Sequence, residues 1–402
     1  NGLVAASLIL KTLNDNPYFR GFIKKYTMNK ILLTTLFSGY NYGSSLQTFA
    51  TKSIIEELGC ECELVARKSI VKGRDIRLGK LFTILWRTLL TVDTKTLKAY
   101  KSSYQKTLIG DSVKRFTEFE EKYLQPKRMG WSELKKEAKD SVACVAGSDQ
   151  LWDPTTLYVD PMYYLRFAPS DKRISFATSM GHDFVAKYNE KKLKKWISEV
   201  KHLSVREDSG VKLIKELCGR EALHLLDPTL LLNGEIWRKK LEIQKQKNKY
   251  ILAYFLDAPS QQAKCCINNL KKKYQCDVIA IPYEHEDMSY ATKVVPTGPL
   301  EFLSLVDNAV AVVTDSFHGT AFSINLHTPF FVFDRNYGTA HSQSSRVISL
   351  LKKVGLIERY EPSEGANTEI NLDFTHSDEI LTAEREIAKR YLQESVMSCR
   401  KK

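Results

Sequence analysis

The chain has 402 residues, 43% of them hydrophobic and 27% charged, a balance that argues against both a disordered chain and a membrane protein and leaves room for two domains. Its 60 lysines and arginines against 47 acids give a net charge of +13, which favours an anionic partner such as a phosphorylated metabolite, a lipid head group or nucleic acid. The eight cysteines include no C-x-x-C pair, so neither a zinc knuckle nor a dithiol motif is indicated, and free thiols in a reducing cytoplasm are expected.

In chain order, residues 1–27 read as an extension outside the fold, because Met28 leads directly into a β-rich run, Lys30–Leu36. A turn-forming stretch over Phe37–Ser45, a helically spaced one over Leu46–Leu58 and a short strand at Glu63–Ala66 then begin a βαβ series with a parallel sheet. Residues 67–107 interrupt it with 11 lysines and arginines against Asp75 and Asp93, a net of +9. Within them Leu78, Leu81, Phe82, Leu85, Trp86 and Leu89 share helical spacing. That segment has two readings, a basic amphipathic helix in peripheral contact with an anionic membrane, or an ordinary helix whose apolar face covers the domain core.

The α/β rhythm resumes with strands at Ser141–Ala146 and Arg173–Ala177, a helix over Glu190–Val200, strand His202–Val205, helix Ser209–Leu217 and strand Leu223–Leu226, and is broken by Asp227-Pro228. A second set follows: strand Tyr250–Leu256, helix Ser260–Tyr274, strand Asp277–Ile281, helix Pro299–Asn308, strand Ala309–Thr314, helix Gly319–Leu326 and strand Phe330–Phe333, with the acidic run Tyr283–Asp287 as a solvated loop. The expected fold is therefore α/β, two Rossmann-like domains facing a cleft. The first covers 28–230 with its insertion at 67–107, a linker covers 231–248, the second domain covers 249–375, and a C-terminal helix covers 376–402.

Ligands of open α/β sheets sit at the carboxyl ends of strands, so polar residues there are the site candidates. The clearest group is Thr314-Asp315-Ser316-Phe317-His318-Gly319-Thr320, where an apolar strand meets a helix start; Asp315, Ser316 and Gly319 are binding candidates and His318 could donate to an anion or move a proton. Asn41, Gly43 and Gln47 follow the first strand, although no G-x-G-x-x-G supports an ordinary dinucleotide site. Gly147, Ser148, Asp149 and Gln150 end another strand, Arg206 and Glu207 a further one, and Arg346 precedes the apolar helix Val347–Leu351. A guanidinium holds carboxylate or phosphate at two points, which makes Arg206 and Arg346 anion-binding candidates. H-E-x-x-H, G-x-x-x-x-G-K-[ST], G-x-S-x-G and Asp-x-Asp are all missing, and no nucleic-acid-binding motif is present.

Taken together, Asn41-Tyr42-Gly43 with Leu46-Gln47, Gly147-Ser148-Asp149-Gln150-Leu151-Trp152, Ser204-Val205-Arg206-Glu207, Asp227-Pro228-Thr229-Leu230-Leu231 and Thr314-Asp315-Ser316-Phe317-His318-Gly319-Thr320 resemble, in order and spacing, the polysaccharide pyruvyl transferase family over roughly residues 28–357. The resemblance implies a fold like the two-domain (GT-B type) glycosyltransferases and transfer of a pyruvyl group from phosphoenolpyruvate to a sugar or lipid-linked glycan, forming a ketal on a surface polysaccharide. It maps the family histidine onto His318 and the family arginine of Ser-x-Arg-Glu onto Arg206, both as catalytic, and implies no metal or other cofactor. Many members carry Arg-Leu-His-Gly where this chain has Ser316-Phe317-His318-Gly319, so another cation, Arg346 or a basic residue elsewhere, would have to hold the donor. Work in the cytoplasm, at the inner face of the plasma membrane, is the expected setting. Two other functions fit the same architecture: glycosyl transfer from a nucleotide sugar, and a non-catalytic glycan- or lipid-binding module.

Overall fold

Short unbroken apolar runs suit strands covered on both faces, and such runs form the centre of the structure. The structure, a computed structural model, describes residues 30–69, 77–91, 108–245, 249–282, 288–334, 344–362 and 368–400. The extension expected at 1–27, the acidic loop Tyr283–Asp287 and residues 70–76 and 92–107 of the insertion lie outside the described residues. Strands β1 (Lys30–Thr34), β2 (Glu61–Arg67), β3 (Lys127–Met129), β4 (Ala143–Ala146) and β5 (Arg173–Ser175) form a parallel sheet in the order β3-β2-β1-β4-β5. A parallel pair, β6 (Ser204–Val205) and β7 (Leu223–His224), continues beside β5 through bridges at Ile174–His202 and Thr178–Val205. Around them lie α1 (Tyr42–Glu57), α2 (Leu78–Thr91), α3 (Ser112–Phe119), α4 (Trp131–Asp140), α5 (Lys187–Ser198) and α6 (Asp208–Cys218), followed by α7 (Pro228–Leu231) and α8 (Gly234–Lys240).

The second half repeats the plan. Strands β8 (Tyr250–Tyr254), β9 (Asp277–Ile281), β10 (Lys293–Val294), β11 (Ala311–Thr314) and β12 (Phe330–Val332) are ordered β10-β9-β8-β11-β12, all parallel, with α9 (Gln261–Tyr274), α10 (Pro299–Asn308), α11 (Phe317–Leu326) and α12 (Ser344–Lys353). Each sheet reverses its winding between its first strand and the strand that follows the third, β1 and β4 in one and β8 and β11 in the other, and such switch points are where α/β sheets bind ligands. The chain is thus two Rossmann-like domains. Helix α13 (Thr375–Arg400) returns to the first of them, where Tyr391 Oη donates to Ser175 O at 2.9 Å and Lys201 Nζ to Ser398 O at 3.0 Å.

The domains share one apolar cluster that runs from Ile31, Leu46 and Phe49 to Phe302 and Phe322. At its heart Tyr42 stacks on Phe302, centroids 5.0 Å apart and planes 16° apart. The expected linker is mostly part of this interface: Asn233 caps α8 through the Ile236 amide, and Trp237 packs between Phe49 (5.5 Å) and Phe322 (5.2 Å) while its indole donates to Thr229 O. Two further expectations change. The elements α3, β3 and α4 were not foreseen, because α4 buries only Leu134 and Ala138 and gives little periodic signal. Helix α2 does form, yet its large apolar residues face solvent; the reading in which they cover the core is overturned, since Ile84 and the arginines Arg77 and Arg87 supply its contacts to the domain. All eight cysteines are free.

Replacing Trp237 by alanine is expected to lower the unfolding free energy by about 3–5 kcal/mol, as for a large aromatic removed from a core. Urea titration followed by circular dichroism checks it; a loss below about 0.5 kcal/mol, the scale of a surface substitution, would mean that residues 231–245 do act as a loose tether.

Candidate functional site

The strand ends at the two switch points are built by side chains that cap helices. Asn41 Oδ1 accepts the Ser44 amide at 3.0 Å, so α1 starts at Tyr42, and the residues expected as turn, Tyr42 to Ser45, are its first turn. In the second domain Ser316 Oγ accepts the Gly319 amide, so α11 starts at Phe317 and His318 is its second residue. Both glycines permit close approach. A Cβ at Gly43 would fall 2.0 Å from Nδ1 of His318, and one at Gly319 would fall 2.7 Å from Thr314 Oγ1. Glycine at position 43 is therefore what lets the imidazole of one domain lie against the first helix of the other.

Beneath His318 lies a buried polar cluster centred on Arg206. Its Nη1 bonds Asp227 Oδ2, its Nε reaches Glu207 Oε1 at 3.3 Å, its Nη2 lies 3.9 Å from Asp149 Oδ1, and its carbon sits 5.1 Å from the ring centre of Phe317. The carboxylates are held in turn. Asp227 Oδ1 accepts the amide (2.9 Å) and hydroxyl (2.8 Å) of Thr229, and Oδ2 accepts the Ser148 hydroxyl at 3.1 Å. Glu207 accepts the Ser179 hydroxyl and the Met180 amide. Asp149 accepts the Ser44 hydroxyl at 2.5 Å and the Gln150 amide at 2.8 Å, and holds a left-handed φ of 77° that an aspartate adopts at some cost.

Burial pushes the Asp227 carboxyl up, but Arg206, supported by His318 and the Thr229 amide, outweighs burial and holds it far below the usual carboxylate range. Burial likewise works to lower the Arg206 pKa, and Asp227, Glu207 and Asp149 together raise it. His318 Nε2 stands 3.8 Å from Asp227 Oδ2, beyond hydrogen-bond length. Nε2 of His318 and Nη2 of Arg206 are both buried without a hydrogen-bond partner among the described residues. Buried donors in that condition are uncommon and call for an explanation.

Arg206, Glu207 and Asp227 of the cluster floor a cleft open to solvent, whose walls include His224, Phe317, Arg346 and Lys353. His224 Nε2 lies 3.0 Å from Arg206 O, and Lys353 pairs with Glu384 at 2.8 Å. Close by, His182 Nδ1 is 3.3 Å from Asp153 Oδ1, and that contact raises its pKa against burial and against the charge of Arg346. No group of three or more His, Cys, Asp or Glu side chains among the described residues could hold a metal ion.

The structure thus gathers Gly43, Ser148, Asp149, Arg206 and His318 into one cluster, of which Arg206 lines the cleft together with Arg346. Other candidates stand behind it. Gln47 Nε2 stitches α1 to the loop after β1 through Thr35 Oγ1 and Leu36 O, and Asp315 accepts the Leu256 and Asp257 amides that follow β8. Gln150 packs on Gly181, the Gly147 amide bonds Thr34 O, and Asn41 and Ser316 are caps. Residues without an assigned role in the sequence reading prove central, Asp227 and Glu207 above all, with Ser44, His224 and His182 beside them. Asp227-Pro228 reads locally as a break, and it is the cap and first residue of α7; the aspartate before a helix-opening proline was the available signal.

The profile of a family described as polysaccharide pyruvyl transferase matches residues 41–337, more than half of the chain, and the chain belongs to that family. No curated protein matches it. Among solved structures it is similar to a Thermobaculum terrenum O-GlcNAc transferase mutant (11% identity, TM-score 0.39), covering 93% of this chain but 65% of that one. It is also similar to a putative UDP-N-acetylglucosamine 2-epimerase from Listeria monocytogenes (9%, TM-score 0.42, 93% of this chain and 91% of that one). A third is Arabidopsis thaliana UGT89C1 complexed with UDP-L-rhamnose (8%, TM-score 0.43, 92% and 99%).

Asp227→Asn leaves the buried guanidinium short of its main counter-charge and is expected to cost about 3–5 kcal/mol at pH 7 by urea unfolding. The folded carboxyl titrates below the ordinary aspartate value of 3.8, so its stabilisation is complete above that value and is lost as pH falls through the lower folded-state value. The gap between wild type and variant should therefore stay level from about pH 5 to 8 and narrow only below about pH 4. Narrowing within the neutral range would contradict the assignment.

Proposed function

We propose that this chain transfers a pyruvyl group from phosphoenolpyruvate to two hydroxyls of one sugar, closing a ketal in the synthesis of a surface or exopolysaccharide. Family membership supports the reading, and the observation that carries it is the pair of buried nitrogens without a hydrogen-bond partner, Arg206 Nη2 and His318 Nε2, beside Asp227, at a cleft lined by Arg206, Asp227, Arg346 and Lys353. An anionic donor would satisfy both.

In this scheme His318 gives a proton to the methylene carbon of the enol, or donates to the phosphate. The carbon that bears oxygen becomes cationic, one sugar hydroxyl adds, phosphate leaves, and the second hydroxyl closes the ketal. Of the two hydroxyl protons lost, one replaces the proton given to the methylene and the other leaves with phosphate. Asp227 stays ionised across the neutral range, its Oδ2 3.8 Å from His318 Nε2. Arg206, largely committed to its carboxylates, offers Nη2 to the donor, and Arg346 with Lys353 supplies the charge that relatives obtain from the arginine of Arg-Leu-His-Gly. The scheme calls for no metal. One observation favours a second reading: Ser316, in place of that arginine, is spent as a cap and offers no cation, which suits a nucleotide-sugar donor held by its base and ribose.

Thermal unfolding of the full chain with phosphoenolpyruvate, and separately with nucleotide sugars, tests the choice. Saturating phosphoenolpyruvate, at about a hundred times its Kd, should add about 2.7 kcal/mol, and His318→Ala and Arg346→Ala should each remove most of the shift. Phosphate release should need an acceptor sugar and fall at least about a hundredfold in His318→Ala. Stabilisation by a nucleotide sugar alone would establish the second reading and overturn the first.

A further inference from the structure

Helix α2 presents a stripe of large apolar side chains to solvent: Leu78, Phe82, Leu85, Trp86 and Leu89 are 75%, 69%, 60%, 55% and 67% exposed. Their spacing of three and four residues puts them on one side of the helix. The opposite side is fastened to the domain. Ile84 is buried, Arg77 pairs with Asp160, and Arg87 donates to Leu157 O at 2.8 Å and Asn189 Oδ1 at 2.7 Å. The helix is therefore held with its apolar side outward by specific polar contacts.

The surroundings extend the patch. The guanidinium of Arg87 lies 5.0 Å from the ring centre of Tyr188, which is itself exposed, as is Phe184. Tyr188 belongs to α5, whose Lys187, Lys191, Lys194 and Lys195 are exposed against the single acid Glu190. An apolar stripe with aromatic residues, beside a lysine-rich helix, is the arrangement that gains from both terms of an anionic bilayer, apolar burial at the acyl boundary and attraction to head groups. A second copy of the chain would set two lysine-rich helices near one another, which like-charge repulsion opposes. At 14 residues α2 is about 21 Å long, short of the roughly 30 Å of a hydrocarbon core, and no helix among the described residues is long and apolar enough to cross a membrane.

We propose that α2 is a surface anchor that lies in the plane of an anionic lipid bilayer, with Phe82, Leu85 and Trp86 inserted and the lysines of α5 against the head groups. This assignment is independent of the donor used in the cleft.

Flotation of the full chain with extruded vesicles tests it, using phosphatidylcholine alone or with about one third phosphatidylglycerol. The chain should float with the anionic vesicles, less so at high salt, and much less with neutral ones. Phe82→Ser, Leu85→Ser and Trp86→Ser combined should weaken that binding at least about tenfold with an unchanged melting temperature, and Lys191→Glu, Lys194→Glu and Lys195→Glu combined should remove the preference for anionic lipid. Failure of the wild type to float, or equal flotation of the apolar triple variant, overturns the proposal. Light scattering gives the competing outcome its own signature: a wild-type dimer that the apolar variant converts to monomer, without vesicle binding, would assign the face to a second copy. A lowered melting temperature without vesicle binding would assign it to another segment of the same chain.

Discussion

A guanidinium taken out of water costs several kcal/mol unless carboxylates surround it, and Arg206, fully buried, is surrounded by Asp227, Glu207 and Asp149. Those acids come from three places that only the folded chain unites: the end of β4, the residue that caps α6, and the cap of α7. Each carboxylate also accepts from hydroxyls or amides, so the cluster fixes the ends of β4, β6 and β7 against one another. A buried network is worth having only when its members are satisfied, and nearly all of these are. The exceptions are Arg206 Nη2 and His318 Nε2, and Arg206 lines the cleft.

The same geometry depends on the apolar interface between the domains. His318 comes from the second domain and rests against Gly43 of the first, an approach closer than any side chain at position 43 would allow. It is kept there by the stack of Tyr42 on Phe302 one residue away, by Trp237 between Phe49 and Phe322, and by α13, whose Arg385 donates to Leu230 O and Asn325 Oδ1 from opposite sides of the boundary. The packing of aromatic rings at the interface thus sets the distance between the imidazole and Asp227, and through it the electrostatics of the cleft.

Most strands were legible in the sequence because parallel strands buried on both faces must be apolar throughout, and β9 and α10 match their expected spans residue for residue. Helix starts were less legible. Asn41 and Ser316 draw glycine and serine into helical first turns, and local composition reads those residues as loop. Arg206 and His318 were singled out by the rule that strand ends carry ligands, yet nothing local tells that Asp227, 21 positions after Arg206, closes on it. The insertion shows the complementary limit: periodicity revealed a helix with one apolar side, but which side turns outward was decided by Arg77 and Arg87 finding Asp160 and Asn189, partners 83 and 102 positions away.

Charge is divided between these features in a way that bears on what the cleft can hold. The guanidinium on its floor is surrounded by three carboxylates, so the floor is no strong source of positive potential, although the chain carries a net +13. Much of that excess belongs to residues 67–107, and α5 adds a further exposed set. Positive charge at the cleft comes from the second domain, through Arg346 and Lys353, and Lys353 shares its charge with Glu384. An anion bound there would meet cations from one wall and the Arg206 guanidinium from the floor, while Asp227 repels any negative group placed directly above it. That repulsion favours a ligand whose charge lies toward Arg346 and whose neutral or electron-poor part lies over Asp227 and His318.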